Sequence, residues 1–165
     1  MRLFILRHGI TTEADADADR ELSEKGVKEV ENVVQLRRDD LQNVTRIFSS
    51  PMIRVKQTLE VAEKILGLKN IIVESPYLMT GSRLNEIVSF IGELEFDGGD
   101  VLVSSHQSCT SILVLWLTGE DILIPLGSLL AIEVDRAAQG AGEILWQESH
   151  NSSDVKRATS FVDQF

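Results

Sequence analysis

Residues 1–9 read Met-Arg-Leu-Phe-Ile-Leu-Arg-His-Gly, and the apolar run at 3–6 that halts at Arg7-His8-Gly9 decides how the rest of the chain is read. Four apolar residues without polar alternation fit a strand buried on both faces, as in parallel sheets covered by helices. Working outward, Ser23 is placed to cap a helix whose apolar positions Val27, Val30, Val33, Val34 and Leu36 recur near helical spacing. A second strand is expected over 45–48. Ser50-Pro51 then opens a helix striped by Val55, Leu59, Ala62 and Leu66 and stopped at Gly67. Further on, the patterning predicts a strand at 70–73, a helix at 83–95 and an apolar strand at 101–103 that ends at Ser104-Ser105-His106. A helix over 108–117 follows, then strands at 128–134 and 143–147 that could pair antiparallel through the turn at 139–142. Strands alternating with helices imply an α/β sandwich with a mainly parallel sheet and helices on both faces. From about residue 149 the chain is polar and no element is assigned.

The 165 residues suit one well-buried domain, 1–165, with 149–165 as a polar tail. Hydrophobic residues at 43%, charged residues at 25% and only three prolines describe a chain that folds alone. A net charge of −10 argues against a phosphate-backbone partner and against an acidic membrane surface, so neither nucleic acid nor membrane is expected. Cys109 is the only cysteine, which excludes an internal disulfide. The apolar start is too short for a signal-peptide core or a membrane span, and a cytoplasmic location is the expectation. The sequons at Asn43 and Asn151 then read as chance matches.

The chemistry is expected where strands end. His8 and His106 each follow an apolar strand, and in a parallel sheet both carboxyl ends face one edge, so the two imidazoles can meet. Arg54 stands in the first turn of the helix after the second strand, near the same edge, and Arg7 adjoins His8. Two guanidiniums and two imidazoles around one point repel each other unless an anion is the guest. Phosphate fits, because guanidinium forks match its oxygens in a bidentate way.

These residues carry a resemblance to the histidine phosphatase superfamily, whose signature is Arg-His-Gly after the first strand, here Leu6-Arg7-His8-Gly9. Leu22-Ser23-Glu24-Lys25-Gly26 resembles the family's Leu-Ser/Thr-x-x-Gly helix entry. Phe48-Ser49-Ser50-Pro51 with Arg54, Gln57 and Thr58 resembles its Ser-Ser-Pro-x-x-Arg-x-x-Gln-Thr segment, and Ser105-His106 its second histidine. The resemblance implies a three-layer α/β/α, phosphoglycerate mutase-like fold, and the short chain, without room for a cap domain, is similar to the SixA-type phosphohistidine phosphatase branch. It further implies a two-step reaction in which neutral His8 attacks phosphorus, a phosphohistidine forms on the enzyme, and water releases phosphate. Arg7 and Arg54 are expected to depress the His8 pKa. Arg7, Arg54 and His106 form the clamp, the missing β-carbon of Gly9 lets backbone approach the phosphate, and a backbone amide at Gln107 assists. Neither metal nor other cofactor is implied.

The general acid is the gap. Larger family members supply a carboxylic acid between the second helix and the second histidine, where this chain has Glu74, Glu86, Glu93 and Glu95 without a motif. It reads Pro76-Tyr77-Leu78 where the SixA-like branch has Pro-Glu-Leu, and Ile10 where that branch often has an acid. A phosphohistidine leaves as neutral imidazole once its free ring nitrogen carries a proton and so needs less acid help than an alkoxide, and the gap favours a phosphohistidine-bearing protein as substrate. A small phosphorylated metabolite is the alternative, and a phosphate-binding module without turnover is the alternative of another class. Asp15, Asp17 and Asp19 alternate like a calcium loop, yet Arg20 and Gly26 stand where glycine and glutamate are needed, and a solvated loop is expected. Cys109 lacks the arginine of a cysteine phosphatase six positions on, at Leu115, and reads as a helix-start or core residue. His150 reads as a surface residue.

Overall fold

The structure, a computed structural model, describes residues 1–68, 72–96 and 98–150. Six strands form one sheet: β1 (Arg2–Arg7), β2 (Val44–Ser49), β3 (Ile72–Glu74), β4 (Asp100–Ser105), β5 (Leu129–Val134) and β6 (Gly142–Glu148), in the order β3-β2-β4-β1-β5-β6. The first four run parallel, and β5 turns back antiparallel to β1 before pairing with β6. The expected mainly parallel sheet is therefore present, and the two late strands pair antiparallel as the patterning predicts. Their connection spans 135–141, longer than the turn read from the sequence.

Alternation along the central strands divides the core in two. Leu3 and Ile5 of β1 and Val101 and Val103 of β4 face a cluster with Ile87, Phe90, Leu113 and Leu117. These belong to helices α3 (Leu84–Gly92) and α4 (Gln107–Thr118). Phe4, Leu6 and Leu102 point the other way, into Val30, Val33 and Leu59 of α1 (Glu24–Leu36) and α2 (Ile53–Leu66). Because both faces are covered, β1 and β4 have no solvated side on which polar alternation could appear, which accounts for their continuous apolar runs.

Local chemistry sets the helix ends. The Ser23 hydroxyl accepts the Gly26 amide at 3.1 Å at the start of α1, as expected. Gly67 closes α2 in the left-handed region, with φ of 65°. Pro51, however, precedes the helix instead of opening it, since Met52 is the N-cap and Ile53 the first helical residue. Part of the strand expected at 70–73, the site at Asn151 and most of the polar tail lie outside the described residues. No helix among the described residues is long and apolar enough to cross a membrane.

Candidate active site

The registers of the parallel strands bring three loop starts to one edge. Arg7 lies opposite Ser105, and Ser49 opposite Ser104. Beyond the ladders, backbone bonds continue the alignment: the His8 amide donates to Ser105 at 3.1 Å and the Ser50 amide to Ser104 at 3.1 Å. His8 and His106 consequently meet with ring centroids 5.2 Å apart, nearly edge to face. Both are buried, at 9% and 3% exposure.

His8 is held in one tautomer. Its Nδ1 lies 2.9 Å from the Gly9 carbonyl oxygen, which can only accept, so Nδ1 carries the proton and Nε2 keeps its lone pair. Its pKa falls from 6.5 to about 4, first because burial penalises the charged ring and next because Arg54, Arg7 and Arg20 surround it, while the Gly9 bond opposes the shift. The guanidiniums therefore act in the expected direction, but burial is the larger cause. The His106 pKa falls to about 3, again by burial first and then through His8, Arg54 and Arg7. Its Nε2 lies 2.9 Å from Ser50 Oγ, and its buried Nδ1 has no partner among the described residues.

Arg7 donates to the Ile124 carbonyl at 2.6 Å, and its buried Nε has no partner among the described residues. Arg54, only 4% exposed, enters from the first turn of α2. Thr58, one turn on, receives the Gly9 amide at 3.2 Å and donates to the Arg54 carbonyl at 2.8 Å, tying the loop after β1 to α2. Gln57 makes a second tie, its Oε1 accepting the Leu22 amide at 2.6 Å. Gln107 is the first residue of α4, beside the His106 N-cap. Its side-chain amide donates to Ser111, so what it presents to the edge is a backbone N–H in the first turn, where helices lack internal acceptors.

Two expectations change. A β-carbon on Gly9 would come within 2.7 Å of Leu22 Cδ1 and 3.1 Å of Val30 Cγ2, so this glycine lets α1 pack against the loop whatever it does for phosphate. Asp17 is not merely solvated: its carboxylate lies 2.9 Å from Arg54 Nη2 and its backbone oxygen 2.8 Å from Arg54 Nη1. Arg20, which the sequence reading considered only as a mismatch to a calcium loop, stands 3.6 Å from the same carboxylate and contributes to the field on His8. Nothing periodic in the sequence signals either residue.

Three of the four carboxylates of the expected acid segment have other partners. Glu74 pairs with Lys56 at 2.7 Å, Glu86 accepts the Arg83 amide at the start of α3, and Glu95 pairs with Arg46. Glu93 is the C-cap of α3. Cys109 is buried and its thiol donates to the Met79 carbonyl, the core role expected, while His150 is exposed beside Asn32. Among the described residues no group of three or more His, Cys, Asp and Glu side chains is arranged to hold a metal ion.

The profile of the histidine phosphatase superfamily (branch 1) matches residues 3–76. Phosphohistidine phosphatase SixA of Escherichia coli K12 is 26% identical over 153 residues, covering 90% of this chain and 94% of that protein. A solved structure of the protein histidine phosphatase SixA complexed with tungstate superposes with a TM-score of 0.83 at 27% identity, covering 92% of this chain and 98% of the other. The alpha-ribazole phosphatase of Shigella flexneri shares the fold at a TM-score of 0.72 and 16% identity, over 96% and 100% of the two chains. With the two histidines at one sheet edge and guanidiniums beside them, the chain shares its fold with SixA and alpha-ribazole phosphatase, and its first half is similar to the histidine phosphatase superfamily.

Proposed function

We propose that the chain is a phosphohistidine phosphatase in which His8 is the nucleophile. The observation that supports this most is the His8–Gly9 bond, which leaves Nε2 unprotonated at neutral pH beside two arginines and a second histidine. Nε2 attacks phosphorus in line, the bond from phosphorus to the substrate nitrogen breaks, and the substrate ring, already protonated on its other nitrogen, keeps that electron pair and departs as neutral imidazole. Water then attacks the phosphorylated His8, the Nε2–P bond breaks, and inorganic phosphate leaves.

Arg7 and Arg54 offset the charge on the transferring oxygens. His106 has a part that its surroundings make specific. Ser50 Oγ accepts the Met52 amide at 3.4 Å, and with the hydroxyl donating to Nε2 the ring proton sits on Nδ1, a buried donor without a protein acceptor. A phosphoryl oxygen supplies that acceptor. The Gln107 backbone N–H, in the first turn of α4, completes the cradle, while the Gly9 amide is engaged by Thr58 and its carbonyl by His8.

The carboxylates support phosphohistidine over an ester. Glu74, Glu86 and Glu95 are engaged elsewhere, and the Arg54 bond holds Asp17 below the usual carboxylate range, so it is ionised and has no proton to give an alkoxide. A phosphohistidine ring already protonated on its free nitrogen needs none from the enzyme. The proposed partner is thus a phosphohistidine-bearing protein, and the enzyme works as one domain without a cofactor.

Incubation with a phosphohistidine-containing protein should place acid-labile phosphate on the enzyme, and His8→Ala should abolish both the label and turnover. Turnover by His8→Ala would overturn the nucleophile. Faster hydrolysis of a small phosphate ester than of phosphohistidine would overturn the substrate.

A further inference from the structure

Arg54 has little exposure and a full positive charge, a costly combination unless an anion lies against it. In the structure that anion belongs to the protein. Asp17 takes both ends of the guanidinium fork: its backbone oxygen meets Nη1 at 2.8 Å and its carboxylate meets Nη2 at 2.9 Å. Thr80 Oγ1, 3.3 Å from Nη2, is the other neighbour of that nitrogen. The edge that would grip two phosphoryl oxygens is the edge Asp17 covers.

The loop bearing Asp17 is pinned at its base, where the Thr12 amide donates to Glu21 and Thr11 bridges Leu22, but its tip is exposed. Asp17 lies in a single 3-10 turn, Asp17–Asp19, with no buried residue. The Asp17 side chain is 55% exposed, and its other ionic contact is Arg20 at 3.6 Å. A hollow of ≈ 390 Å³ lined by Glu13, Ala14, Asp17 and Arg20 adjoins it and leaves room to swing away. A carboxylate and a phosphate dianion cannot share one guanidinium edge without repulsion.

We infer that Asp17 is a resident competitor for the phosphoryl subsite: it neutralises Arg54 in the empty enzyme and must be displaced whenever substrate or product phosphate binds. The inference rests on the reading of the site as a phosphate site. Its consequence is selectivity. A ligand presenting only a weak monoanion leaves Asp17 in place, whereas a phosphoryl dianion drives it out. Phosphate product is also expelled more readily, because the carboxylate returns to Arg54 as phosphate leaves.

The test compares inorganic phosphate and tungstate as inhibitors and titrants of the wild type, Asp17→Asn and Asp19→Asn. Asp19→Asn removes one negative charge from the same turn but not from Arg54, so it measures the general field. Asp17→Asn should bind both oxyanions about three- to tenfold more tightly than Asp19→Asn does, the scale of one partly exposed charge pair. It should also melt lower than the wild type without phosphate and gain more from added phosphate. Equal affinity in the two variants, or weaker binding by Asp17→Asn, with catalysis intact would overturn the inference alone. Failure of all three forms to bind either oxyanion would overturn the phosphate reading of the site and the inference with it.

Discussion

At the scale of single residues, the two imidazoles decide how the protein responds to acid. Their pKa values near 4 and 3 mean that both rings are neutral across the physiological range. The acid limb of kcat/KM should therefore inflect near pH 4 instead of near 6.5, once the titration of the substrate itself is divided out. Stability follows the same pair. Between about pH 6.5 and 4 the unfolded chain binds a proton at His8 that the folded protein refuses, so stability is full above that window and falls as pH drops through it. For His8 this amounts to about 3 kcal/mol, and urea midpoints at pH 7.5 and 4.5 should draw closer together in His8→Ala. Ser50 is a positioning residue, because its hydroxyl meets His106 Nε2. Ser50→Ala should lower kcat about tenfold with KM changed by less than about twofold, a split that steady-state kinetics reads directly. His8, His106, Arg7 and Arg54 were legible in the sequence because each stands at a fixed offset from an apolar strand or a helix start. Asp17 was not, since its bond to Arg54 joins a loop to a helix 37 residues away and no local period encodes it.

At the scale of elements, the loop after β1 depends on how closely α1 approaches. A β-carbon on Gly26 would lie 2.2 Å from the Ile10 carbonyl oxygen, a clash with backbone that no rotamer relieves. Gly26→Ala should cost about 2–3 kcal/mol and lower the melting temperature by about 5–10 °C. Gly92, at the exposed end of α3, meets nothing within 4 Å, and Gly92→Ala should raise the melting temperature by about 2–3 °C. Differential scanning calorimetry of the pair distinguishes close approach from mere helix propensity. The sequence marked the helix entry through the spacing from Leu22 to Gly26, while the contact with Ile10 became visible only when the chain was folded. Pro51 shows the converse. Proline favours a first helical position, but here it sits before the Met52 cap and the helix starts two residues later, as element boundaries read from propensity commonly shift.

For the whole molecule, a formal charge of −10 surrounds a pocket built from arginines. Under the proposed function, a partner protein that docks on such a surface needs a basic face around its phosphorylated histidine, and steering between the two weakens as salt screens it. Raising ionic strength from about 0.02 to 0.2 M should lower kcat/KM for a phosphorylated protein with a basic face severalfold and leave kcat nearly unchanged.

The strand order has a temporal side as well. β4, which supplies His106, lies between β2 and β1, though both precede it by some fifty residues or more. During synthesis, β1 and β2 emerge as strands with their shared neighbour missing, and the two apolar edges wait for a third. Pairing across so long an interval closes a large loop and belongs to the slow steps of folding. His8, the proposed nucleophile, is made well before His106, which joins it only when the last of the four parallel strands slides into the middle. Hydrolytic competence is thus acquired late and all at once, and an incomplete nascent chain carries His8 without the partners that make it reactive.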